Sequence, residues 1–298
     1  MLATIFEMSR TAAAMSVAGI ALFLIAAWAA QREVVEARGL ERIVALRTVC
    51  VSIPLAVFGA LHLFGPSFVM NIVPRYMPGR MFWVYAVGCA LIAAALSIAT
   101  KTAVRWSGLL FGIMMFLFVA MIHLPGAVRL GQETLWVIVF RELSFGSAGW
   151  ILAASTMNDV GSPYAKALRR VGVVLITATV IFFGVEHFVH PTGLPGVPLP
   201  KQIPTWVPGR VLIDYVTGAA LLAIGASVLL RRRARTVATS VGAWLLLMVL
   251  VIYGPVMLAA LADPAIGVQV EGINYFADTL LFAGTLLTLA SASEFQPQ

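Results

Sequence analysis

The chain has 298 residues, 61% of them hydrophobic and only 11% charged, with a formal net charge of +7. A soluble domain carries about 25% charged residues, and a mean hydropathy of +0.96 is more than a water-facing fold can bury, so lipid is the solvent. The positive charges are spaced between apolar runs, which excludes a nucleic-acid groove and fits the loops of a membrane protein.

Nine apolar runs, each near the roughly 20 residues that cross the hydrocarbon, follow in chain order: 12–30, 43–64, 80–100, 106–125, 134–155, 171–190, 211–230, 237–261 and 273–293. Each must be a helix, because an open strand in lipid leaves its backbone groups unsatisfied. The expected fold is therefore an all-α membrane protein of about nine spans. The first run is preceded only by Arg10 and followed by Arg32, Arg38 and Arg42. That is the reverse of a signal peptide, so it reads as a retained anchor. Ser162-Pro163, before the sixth run, is a good cap and first helical residue. The sharpest basic cluster is Arg231, Arg232, Arg233 and Arg235. The first, third, fifth and seventh connections share one face, which carries 13 Lys or Arg, Arg47 included, against six on the other, Arg10 included. Positive-inside logic then places the N-terminus outside and the C-terminus inside. Cys50 and Cys89 sit within apolar runs and read as small buried side chains.

The sequence repeats itself. Pro78-Gly79-Arg80, Tyr85, Gly88, Ala90 and Leu91 recur 130 residues later as Pro208-Gly209-Arg210, Tyr215, Gly218, Ala220 and Leu221. Pro74, Arg105, Gly112 and Pro125 match Pro204, Arg235, Gly242 and Pro255. Phe58-Gly59-x-x-His62 matches Phe183-Gly184-x-x-His187 at a spacing of 125, the difference falling in the loop before Pro204. The reading is an N-terminal span and loop (1–42), then two tandem four-helix units (43–157 and 158–298). Four spans is an even number, so the units are parallel repeats, unlike the inverted repeats of many ion-coupled transporters.

Titratable groups within a span are costly and mark functional sites. His62, Arg80, His123, Glu142, His187, Asp214 and Asp278 all fall toward the expected outer ends of their spans. His62, Arg80, His123 and Glu142 form the candidate reactive set of the first unit, with Trp83, Tyr85, Arg210, Asp214 and Tyr215 as candidate ligand contacts. Arg210 and Asp214 are four apart and are expected to pair. Arg141 is expected to pair with a carboxylate of a neighbouring helix, because Glu142 points to another face. Glu186, His187 and His190 share a helix end and are a weak metal candidate. No GxGxxG with a following acidic residue, Walker loop, HExxH or GxSxG occurs.

Phe58-Gly59-x-x-His62, the Pro-Arg-Tyr-Met-Pro-Gly loop at 74–79, Phe82-Trp83-x-Tyr85-x-x-Gly88 and His123-Leu124-Pro125 resemble the DoxX-like membrane proteins of bacteria. The second unit resembles the same pattern but carries Tyr253 where the first has His123. The resemblance implies a location in the bacterial inner membrane and redox-associated work, with quinone as ligand and an extracytoplasmic redox partner. His62, His123 and Glu142 would then bond to a quinone head group or exchange protons with it, and Arg80 would stabilise its reduced, anionic form. Two other readings stand beside it: a small-solute or lipid binding or transport protein with an outward pocket, and a scaffold subunit without a ligand.

Overall fold

The computed structural model describes residues 8–292. Among them, nine helices are long and apolar enough to cross a bilayer, and no strand is present. They are α1 (Arg10–Glu36), α2 (Glu41–Phe64), α3 (Arg80–Thr100), α4 (Val104–Leu130), α5 (Glu133–Ser155), α6 (Pro163–Val189), α7 (Arg210–Leu229), α8 (Ala234–Leu261) and α9 (Ile266–Ala290). Several outrun their apolar stretch. α6 begins at Pro163 rather than at 171 because the Ser162 side chain accepts the Ala165 N–H and Pro163 needs no partner at the first position. Ser293, the expected end of the last span, lies outside the described residues.

The centre is built by α2, α5 and α9, whose apolar windows are 78%, 72% and 83% buried. Within each half, consecutive spans pack in order: α2 on α3, α3 on α4, α4 on α5, and likewise from α6 to α9. The halves interlock by exchange. The first span of each packs on the last span of the other, α2 on α9 and α6 on α5, and the two last spans meet in the middle. The anchor α1 covers α2 and α3. It is tied at one end by Thr11, whose hydroxyl donates to the Phe64 carbonyl, and at the other by Lys101, 2.7 Å from Glu33. Hydroxyls buried in the centre, such as Thr177, Thr285, Thr288 and Ser147, donate to carbonyls one turn back, so they need no partner from another helix.

The same local features recur at the spacings read from the sequence. Gly79 and Gly209 sit in the left-handed region ahead of α3 and α7. Lys101 and Ala103 adopt positive φ in the α3–α4 turn, as do Arg231 and Arg233 in the α7–α8 turn. Val119–His123 and Val249–Tyr253 are π-helical. Each lies just before a proline, Pro125 or Pro255, whose ring clashes with the carbonyl four residues back and whose missing N–H breaks the ladder. The wider turn absorbs that break and re-aims its last residue, His123 or Tyr253.

Cys50 is buried as expected, but Cys89 is exposed on α3, a helix whose apolar window is only 33% buried. An apolar run in lipid does not imply burial against protein.

Candidate functional site

Because the nine spans alternate in direction, the histidines and most intramembrane charges gather at one end of the bundle, here called the histidine end. The arginine-rich turns lie at the other. Two polar centres occupy the histidine end, one in each half.

In the second half, α6 and α7 cross closely: a Cβ added at Gly218 would lie 2.9 Å from the His187 Cβ and 3.0 Å from the Gly184 carbonyl. This approach brings His187 Nδ1 to 2.7 Å from Asp214 Oδ1, with both side chains wholly buried. The loop 191–209 folds down over the pair. Leu194, Val197 and Ile203 are at most 2% exposed, and Leu194, Ile203 and Val207 pack with Met248, Ile252, Tyr253 and Tyr275. Gly196, at φ +112°, donates its N–H to His187 Nε2 at 3.2 Å, which leaves the ring proton on Nδ1 facing Asp214. Tyr253 donates its hydroxyl to the Pro195 carbonyl at 2.8 Å. Two side chains thus grip the N–H and the carbonyl of a single peptide group of the protein's own loop.

At the corresponding place in the first half, no loop residue among the described residues hydrogen-bonds to His62 or His123. The loop there carries the short helix Pro66–Met70, which has no buried residue. Phe118, Ile122 and His123 are only half-buried, whereas Met248, Ile252 and Tyr253 are 4%, 2% and 1% exposed. His62 occupies the place of His187. Its Nδ1 lies 2.7 Å from the Phe58 carbonyl, which can only accept, so Nδ1 carries the proton and Nε2 is left as a free acceptor. Glu142, 8% exposed, lies within electrostatic range of both His62 and His123. Glu142 is held by Arg141, which reaches it at 2.8 Å and Asp278 of α9 at 2.9 Å. The expected partner on a neighbouring helix is therefore present. The expectation that Glu142 points elsewhere is overturned, because the long arginine side chain wraps back to its sequence neighbour.

Other candidates do not join this centre. Arg80 donates to the Val73 carbonyl at 3.0 Å and to that of Met70, so its guanidinium staples the loop 65–79. Trp83 and Tyr85 are 41% and 42% exposed, and Trp83 donates to the Pro78 carbonyl. Tyr215 stacks on Phe188 at 5.4 Å on the matching outer face of the second half. The expected Arg210–Asp214 pair does not form: Asp214 turns inward to His187. Arg210, with no ionic partner among the described residues, lines a shallow open depression of about 640 Å³ with Thr205, Pro208 and Leu212.

The weak metal trio is also corrected. His187 faces inward to Asp214, while Glu186 and His190 meet Glu133 of α5 at the rim. Among the described residues these three form the one set whose donor atoms all lie within 4.8 Å of one another. His62, His123 and Glu142 do not converge in that way. Glu133 sits outside the expected apolar run, and no sequence spacing points to it.

One family profile, described as Domain of unknown function (DUF8561), matches residues 51–134. The matched segment carries His62, Arg80 and His123 and stops before Glu142. No curated protein matches the chain, and no solved structure matches it.

Proposed function

We propose that the histidine end of the first half binds a small molecule with an apolar body and carbonyl or hydroxyl groups, of the quinone class, and exchanges protons with it. The observation that carries this reading is the contrast between the halves. In the second, His187 accepts from the N–H, and Tyr253 donates to the carbonyl, of the one Pro195–Gly196 peptide group. In the first, His62 and His123 stand at the corresponding positions, and among the described residues no loop residue hydrogen-bonds to either. A quinone head group has carbonyls to accept from an imidazole N–H and hydroxyls, once reduced, to donate to His62 Nε2. Phe118 and Ile122 supply apolar walls, as Met248 and Ile252 do for the plug.

A bound quinone would supply two-electron redox chemistry. The chain's own residues would orient the head group, hold a proton at His62 or His123, and balance it against Glu142. Arg80 has no part in this, because the loop carbonyls occupy it. The DoxX-like resemblance supports a redox-associated role with an extracytoplasmic partner in a bacterial inner membrane, and the arginine distribution supports the histidine end as the outer one. The recurring turns, π segments and glycine crossings support descent from a doubled four-span unit. The other end of α5 and α9 is filled by wholly buried side chains such as Ala153, Ala154, Leu286 and Leu287, which favours binding at one face over passage of a solute.

The test is calorimetric titration of the purified protein in lipid nanodiscs with a short-chain ubiquinone. Saturable binding is expected, weakened about three- to tenfold in His62→Ala and in His123→Ala, as for one lost hydrogen bond. Absence of binding by ubiquinone and menaquinone analogues alike sinks the reading.

A further inference from the structure

The rim cluster of Glu133, Glu186 and His190 plays no part in the first-half pocket. We propose that it is a site for a divalent transition-metal cation, of which zinc is the representative, bridging α5 of the first half to α6 of the second.

Three observations support this. First, the donor atoms converge. His190 Nδ1 lies 2.9 Å from Glu133 Oε1 and 3.4 Å from Glu186 Oε2. One imidazole nitrogen and two carboxylates leaving open positions is a donor set that zinc uses with water completing the shell, and its mixture of nitrogen and oxygen suits first-row cations over calcium or magnesium.

Second, the charges do not balance. Two carboxylates face one imidazole, which supplies at most one positive charge. No Lys or Arg among the described residues pairs with either carboxylate; Lys201, the cation of the covering loop, lies against Glu271 and the Tyr275 ring instead. Glu186 Oε2 is sealed from solvent and makes no hydrogen bond. Its nearest donor is His190 Nδ1 at 3.4 Å, too far to offset the cost of a shielded carboxylate oxygen facing a second carboxylate, and a cation at their meeting point relieves it.

Third, the backbones that carry the ligands are fixed. Glu133 opens α5 and Glu186 lies in the last turn of α6. His190 caps α6, its N–H bonded to the Glu186 carbonyl at 2.8 Å and its own carbonyl accepting from Thr192 and Gly193. Little ordering remains to be done when the ion arrives. The cation would clamp the start of the plug loop and the seam between the halves.

The experiment uses the full-length protein in detergent, stripped with EDTA, dialysed and titrated with zinc chloride by calorimetry, with cobalt(II) absorption as a second readout. A single saturable zinc per chain is expected, with affinity reduced about tenfold or more in Glu133→Gln and in His190→Ala and unchanged in Glu271→Gln. The side chains of Glu133 and His190 are half-exposed, so both variants are expected to elute as the wild type does. No saturable zinc uptake by the wild type overturns the proposal, as does equal uptake by His190→Ala. Quinone binding is read without metal, so failure here leaves the pocket proposal standing, and the converse holds.

Discussion

Arg141 of α5 and Asp278 of α9 meet where the two halves join, Nη1 to Oδ2 at 2.9 Å, and the same guanidinium holds Glu142 with its other nitrogen. One cation therefore serves two buried carboxylates, so the two ends of the ion pair are not equivalent. Asp278→Asn leaves Arg141 and Glu142 as a neutral pair. Arg141→Met leaves two buried carboxylates with no counter-ion. The arginine variant is expected to lose about 3–5 kcal/mol, the range for a broken buried pair, and the asparagine variant distinctly less. Thermal unfolding in detergent ranks them. Lowering the pH should recover part of the loss in Arg141→Met, because protonation removes the uncompensated charge; a loss that stays flat with pH would show that charge is not its cause.

The plug loop gives a second prediction. Tyr253→Phe removes the donor to the Pro195 carbonyl and should cost about 1–3 kcal/mol, the penalty for a buried group left unpaired. Gly196→Ala should cost at least as much. Its φ of +112° disfavours any side chain, and a Cβ there would sit 3.2 Å from Leu245. Limited proteolysis within 191–209 reads the release of the loop: both variants are expected to be cut faster than the wild type, while the α1–α2 connection is cut at an unchanged rate.

Helix crossing gives a third. At Gly218 an added methyl meets the His187 Cβ and the Gly184 carbonyl, both backbone-anchored, so Gly218→Ala must part α6 from α7. Its melting temperature should fall. Gly267→Ala, where nothing lies within 4 Å of the new methyl, should be neutral or more stable by up to about 1 kcal/mol. Equal behaviour of the two variants would mean that the close crossing contributes nothing.

Arg80 offers a fourth. Arg80→Gln should loosen the loop 65–79, seen as faster cleavage there, yet leave ubiquinone affinity within about twofold, since its guanidinium is engaged by backbone carbonyls. A collapse of affinity with the loop still protected would return Arg80 to the pocket.

The long apolar runs and Ser162-Pro163 made the nine spans legible, because lipid forces every backbone group to be satisfied within the helix. The site was legible only in part. His62, His123 and Glu142 stood out as polar groups in apolar runs. Asp214 was assigned the wrong partner, since a spacing of four describes one helix and says nothing of the imidazole on the next. Glu133 escaped notice because it precedes its apolar run, and its role depends on how α5 and α6 meet. The π turns were hidden too: Pro125 and Pro255 announce a break in the ladder, not the direction in which His123 and Tyr253 are swung.

The loop that fills the second half is covalently attached, so its local concentration far exceeds that of any diffusing compound. A competitor there would have to displace a tethered segment that never departs, whereas the ligand proposed for the first half would meet no such rival from the loop 65–79. Cutting the chain within 191–209, or replacing Gly196, should therefore uncover His187 and Tyr253. A drug-like compound that acquires twofold stoichiometry after such a cut would report on both cradles at once.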